Sequence, residues 1–156
     1  MTGKSLLLRV CTPLALLAWL PISAAASDKT DAMLVVHRWV DTFNANDPQA
    51  NSLTCGEDAV VVDDFPPHVW QGPGACSRWF ADYVAMAAQA KITHARVVLG
   101  TARHFDADSG YAYLTAPVAL SFSQAGKPVR EMGVLTLAMK KGNAGWRITG
   151  WSWADQ

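Results

Sequence analysis

Between Tyr111 and Phe122 every second side chain is apolar: Ala112, Leu114, Ala116, Val118, Leu120 and Phe122. A period of two marks a strand that buries one face and turns the other outward. The pattern has neighbours of the same kind. Ile92 to Phe105 reads as one long run before it, and the turn Asp106-Ala107-Asp108-Ser109-Gly110 joins them. Gln124-Ala125-Gly126-Lys127 leads into a run from Pro128 to Lys140, and Lys141-Gly142-Asn143-Ala144-Gly145 into a last one from Trp146 to Trp153. Everything from Ile92 onward therefore reads as an antiparallel meander. Pro117 has no N–H to offer a ladder, so an edge position or a bulge is expected there.

The part before the meander has helical spacing. Ala32, Val36, Trp39, Val40 and Phe43 form one stripe over Ser27 to Asn44, with Ser27, Asp28 and Thr30 as possible caps. Pro48 to Leu53 is a short second helix, with Asp47 as its cap and proline at its first position. A third starts at Gly72-Pro73-Gly74, runs to about Ala90, and is expected to bury Trp79, Phe80, Tyr83, Val84 and Ala87. Between the second and third lies a hairpin. Ala59-Val60-Val61-Val62 goes out, Asp63-Asp64-Phe65-Pro66-Pro67-His68 turns, and Val69-Trp70-Gln71 returns. Helices first and strands afterwards make an α+β fold. The expected form is a cone, with the N-terminal helices packed in the concave face of a curved antiparallel β-sheet and an apolar cavity at the open end.

Lys4 and Arg9 precede an apolar run, Val10 to Leu20, and Ser23-Ala24-Ala25-Ala26 follows with small residues. Residues 1–26 read as a secretory signal cut after about Ala26, and residues 27–156 as one domain, periplasmic or secreted. A membrane anchor is the competing interpretation; the run is short for one, and no second apolar stretch follows. Of 13 basic residues the leader takes two and no acid, leaving 11 against 13 acids, a net charge of −2. Those charges are dispersed, which argues against nucleic acid or an anionic membrane surface as a partner. Cys11 leaves with the leader. Cys55 and Cys76 remain, one on each side of the hairpin, and its return brings them near each other. A disulfide is expected in an oxidising compartment, with two separate buried thiols as the alternative.

Several short motifs occur in a telling order: Phe43-Asn44-Ala45-Asn46-Asp47, then Asp58-Ala59-Val60-Val61-Val62-Asp63, then Trp70-Gln71-Gly72 opening the Trp79-Phe80 helix. Gly126-Lys127-Pro128, Glu131-Met132-Gly133, Gly145-Trp146-Arg147-Ile148 and Trp151-Ser152-Trp153 complete the set. In these the chain resembles the nuclear-transport-factor-2-like superfamily, nearest its SnoaL-like and ketosteroid-isomerase-like branch. The resemblance covers residues 27–156. It implies the cone fold, a pocket between helices and sheet, and frequent homodimers through the sheet. It implies no single activity, because this fold carries isomerases, cyclases, dehydratases and non-catalytic binders.

By the same resemblance Asp63 stands where the isomerases keep their general base. A carboxylate there would take a proton from carbon beside a carbonyl if apolar walls raised its pKa; the alternative is that it caps the turn before Pro66. Asp64, next along an extended strand, is expected to point the other way. The isomerases' catalytic tyrosine corresponds to Trp39, and their second acid to Gly133, with Glu131 two residues off. Steroid isomerisation is therefore not expected. His68 is a second, weaker catalytic candidate, or simply an exposed turn residue.

Trp39, Phe43, Trp70, Trp79, Tyr83, Glu131 and Trp151 are the expected pocket residues, for a small apolar or aromatic ligand. The alternative for the aromatics is plain filling of a wide core. Trp151 and Trp153 are placed on one strand face and Trp146 on the other. The histidines are scattered and no ligand spacing occurs, so no metal is expected. No cofactor is expected either, since phosphate loop, nucleophile elbow and dinucleotide fingerprint are all missing from the sequence. The functions that stand are an exported small-molecule binder, a lyase, isomerase or cyclase with Asp63 as base, and a structural homodimeric accessory domain.

Overall fold

The structure, a computed structural model, describes residues 24–156. The expected secretion signal lies outside the described residues, apart from 24–26 at the start of the first helix. Helices α1 (Ala24–Asn44) and α2 (Pro48–Ser52) come first, then the hairpin of β1 (Cys55–Val62) and β2 (Val69–Gln71), then helix α3 (Ala75–Gln89). The remaining strands are β3 (Ile92–Leu99), β4 (His104–Asp108), β5 (Tyr111–Gln124), β6 (Lys127–Gly142) and β7 (Gly145–Asp155). They form one curved, unclosed sheet in the order β2-β1-β7-β6-β5-β3, with β4 also paired to β5. The α+β cone is as expected. Among the described residues no helix is long and apolar enough to cross a membrane.

The sheet is mixed, where an antiparallel one was expected: β1 runs parallel to β7. A parallel pair needs a long crossover, and α3 with the whole meander between β1 and β7 supplies it. The run from Ile92 to Phe105 is also two strands, broken at residues 100–103. The break explains Pro117. β5 is central, neither an edge nor bulged at that position, but its partner is interrupted opposite the proline. The Gly100 amide donates to the Pro117 carbonyl at 2.8 Å and the Arg103 amide to the Thr115 carbonyl at 2.8 Å, so no ladder bond is asked of the missing N–H. A Cβ on Gly100 would sit 2.8 Å from the Pro117 ring, so only glycine lets the chain pass there.

The α1 stripe of Ala32, Val36, Trp39, Val40 and Phe43 is buried as its spacing predicts. It packs against β3, β4 and β7 and shares one core with Leu114, Leu135, Leu137, Met139 and Ile148, which are fully buried. Each such side chain contributes about 1.5–3 kcal/mol by leaving water. Asn44 closes α1 onto the sheet: its Nδ2 donates to the Val97 carbonyl at 2.9 Å and its Oδ1 accepts from the Val97 amide at 2.7 Å. Asp47 caps α2 by accepting from the Ala50 amide. α3 buries Ala75, Cys76, Trp79, Phe80 and Ala87, but Val84 faces solvent, one position round the helix from the buried stripe. Cys55 and Cys76 form a disulfide that ties the start of β1 to the start of α3, with Cα atoms 6.5 Å apart.

Trp146 is on the same inner face as Trp151 and Trp153, not on the opposite one. On β7, Ile148 pairs with Met139 and Gly150 with Ala138, so Thr149 is an extra residue in the strand. That bulge resets the alternation and turns all three tryptophans inward.

Candidate functional site

A hollow of about 370 Å³ lies at the open end of the cone. β1 delivers the first acid to it. Ala59 and Val61 point into the core, and Asp63 continues their alternation just past the strand's end. Its Oδ2 accepts from Trp79 Nε1 at 2.7 Å, and its Oδ1 from the Asp64 amide at 2.9 Å. Its own amide donates to the His68 carbonyl at 3.0 Å, which closes the turn. Burial is the largest influence on the carboxyl and raises its pKa to about 6; the Asp64 charge adds to this, while the Trp79 and Asp64 amide hydrogen bonds pull the other way. Near neutral pH it is ionised, yet far more basic than an ordinary aspartate.

Asp64 also borders the hollow, although a straight strand would have sent it to the far side. The alternation carries one residue past the strand's end at Val62, to Asp63, and no longer governs Asp64. Glu131 reaches the rim from β6, opposite Leu120 of β5, and is itself largely exposed. Burial, then the charges of Asp155 and Asp64, raise its pKa. Tyr83 of α3 is pushed up to about 12, first by burial and then by Asp63 and Glu131, so its hydroxyl keeps its proton at any physiological pH.

Between these acids stands an aromatic wall. Trp151 meets Trp79 edge to face at 4.6 Å between ring centres and meets Trp39 at 5.1 Å. Tyr83 stacks on Trp79 at 5.9 Å and packs on Phe43 at 5.1 Å. The N–H groups of Trp39 and Trp151 are buried and find no hydrogen-bond acceptor.

The structure thus brings Trp39, Phe43, Asp63, Trp79, Tyr83, Glu131 and Trp151 to one hollow. Trp70 does not belong to it. Its indole donates to Asp82 Oδ2 at 2.7 Å and packs on Phe65 at 5.0 Å, so it holds α3 against the hairpin. His68 does not belong either: it is exposed, at φ 71°, with its Nδ1 directed at the Asp63 backbone carbonyl and not at the carboxylate. Phe65, Leu120, Phe122 and Trp153 were missed and all line the hollow. The placement of Trp153 on the Trp151 face was the available signal. Gly133 is explained by that same tryptophan, since a Cβ there would come within 2.8 Å of the Trp153 ring and of the Ala154 carbonyl. No second acid fits at that point; Glu131 supplies one two residues earlier in the strand.

Among the described residues no group of three or more His, Cys, Asp or Glu is placed to hold a metal ion.

No family model and no curated protein matches the chain. Solved structures do. It is similar to a nuclear-transport-factor-2-like protein with a cystatin-like fold from Novosphingobium aromaticivorans, at 16% identity and a TM-score of 0.69, over 84% of this chain and 83% of that one. It is similar to a nuclear transport factor 2-like superfamily protein from Salmonella enterica, at 13% identity and a TM-score of 0.70, over 85% and 93%. It is similar to a ketosteroid isomerase-like protein from Erwinia carotovora, at 11% identity and a TM-score of 0.65, over 81% and 94%. At such identities the likeness is one of fold.

Proposed function

We propose, for a chain with the fold of the nuclear-transport-factor-2-like superfamily, that it is an exported protein binding one small organic molecule in the hollow of its cone. The observation that carries this is the hollow itself, walled by tryptophans and bordered by a desolvated carboxylate. A body filled only for structure would close such a space, because interiors pack without voids of this size. The disulfide fits an oxidising compartment. Exposed Val60, Val62, Val98 and Tyr113 on the outer face of the sheet support pairing of two copies there. Native mass spectrometry of the freshly purified protein tests the proposal: a stoichiometric adduct of small mass is expected, removed by denaturation. Protein that stays free of adducts, and whose tryptophan emission no compound in a broad small-molecule panel alters, sinks it.

A second function has one observation in its favour, the raised basicity of Asp63. In that case the protein is a lyase, isomerase or cyclase in which Asp63 removes a proton and Tyr83, held neutral, donates a hydrogen bond to the developing charge. The fate of the bound molecule separates the two. A binder releases it unchanged; an enzyme converts it, and Asp63→Asn stops the conversion.

A further inference from the structure

The charge of the hollow is one-sided. Asp63, Asp64 and Glu131 border it, and no lysine, arginine or histidine does, among the described residues. The charges that act on Tyr83 and Glu131 are likewise carboxylates. Uncompensated negative charge beside a low-dielectric wall repels an anion and attracts a cation. The wall decides which cation. A hydrated metal ion needs converging oxygen ligands, and the acids here are not grouped to provide them. What lines the interior is aromatic: Trp39, Trp79 and Trp151 with Tyr83 and Phe43, neighbouring rings having centres 4.6–6.2 Å apart. Aromatic faces favour weakly hydrated cations with an apolar surface, above all quaternary ammonium groups.

We infer that the hollow selects an organic cation, a tertiary or quaternary ammonium compound with an apolar or aromatic body. The ammonium group lies toward the acid rim and the body among the indoles. This rests on the hollow being a binding site at all. The charge preference is a separate statement and fails separately.

The test is a matched series titrated into the disulfide-bonded protein at pH 7.5 and low salt, followed by calorimetry and tryptophan fluorescence. The probes are benzyltrimethylammonium, its neutral isostere neopentylbenzene, and the anion phenylacetate. The cation should bind about tenfold or more tighter than the isostere, a difference that desolvated cation–π and ion contacts supply. Phenylacetate should bind more weakly than either. Glu131→Gln changes an exposed rim residue and leaves the core intact; it should reduce the cation's advantage over the isostere several-fold. At pH 6, cation binding should also release protons as Asp63 is driven to its ionised form, read from the dependence of the binding enthalpy on the buffer's ionisation heat. Equal or tighter binding of neopentylbenzene overturns the charge preference while leaving the binding site standing, as does tightest binding of phenylacetate. If none of the three binds, the charge preference falls, and the adduct and panel measurements above decide separately whether the hollow binds anything.

Discussion

Replacing Asp63 by asparagine should change how stability depends on pH, and the change can be worked from the site. In the unfolded chain the carboxyl titrates at 3.8; in the fold burial moves it to about 6. The folded state therefore holds its proton more tightly than the unfolded state does. Stability contributed by the protonated group is whole below the unfolded value and is lost as pH rises through the folded one. Integrating the two titrations between pH 4.5 and 7.5 gives a loss of about 2 kcal/mol. The group keeps some contact with solvent, so about 1–2 kcal/mol is the expected figure. Asparagine retains an acceptor for the Trp79 indole and never ionises, so this component of the slope should vanish. Urea unfolding of both proteins at the two pH values, with the disulfide intact, measures it. At a urea slope of about 1.5 kcal/mol/M, the wild-type midpoint should fall by about 0.7–1.3 M relative to the variant as pH rises. Parallel pH dependence in the two proteins would show that Asp63 is not a desolvated carboxylate. A wild type that gained stability with pH relative to the variant would show that hydrogen bonding outweighs burial there.

Trp79→Phe removes the N–H that Asp63 Oδ2 accepts from, and that bond lowers the pKa. Carboxyl-detected NMR titration should find Asp63 titrating higher still than about 6; an unchanged or lower value refutes the geometry. Gly133→Ala forces a methyl group against the Trp153 ring and the Ala154 carbonyl and should cost about 2 kcal/mol or more, seen as a lowered Tm. An unaltered Tm would mean the indole does not lie over the glycine. The folded protein should show no free thiol at Cys55 or Cys76 when denatured without reductant. Reduction should lower stability by about 3 kcal/mol for a loop of 21 residues, and two reactive thiols would contradict the pairing.

The order and type of the elements were legible because they depend on neighbours in sequence. Period-two alternation in Tyr111–Phe122 and the helical stripe from Ala32 to Phe43 each bury one face whatever they pack against; the stripe is buried as written, and so is the strand's face except for Leu120, half-buried at the hollow. The inward aim of Asp63 followed from the same local rule, two steps beyond Val61. The disulfide followed from the hairpin's return.

Misplaced residues share a different origin. Trp146 changed sides because one added residue, Thr149, reset a register that pairing with β6 determines. Pro117 is central because a break in another strand faces it. Trp70 left the hollow when Asp82, about two turns into α3, offered its indole a partner. β1 runs parallel to β7 because α3 and the meander lie between them as a long crossover. Sequence alone settled the order of helices and strands, apart from the break at residues 100–103, and most of the faces they bury, since those depend on bonds and side chains a few residues apart. Tertiary structure alone settled strand order, the bulges, and which acids and rings share one hollow. Those follow from contacts between distant segments, where a shift of a single residue exchanges the inside for the outside.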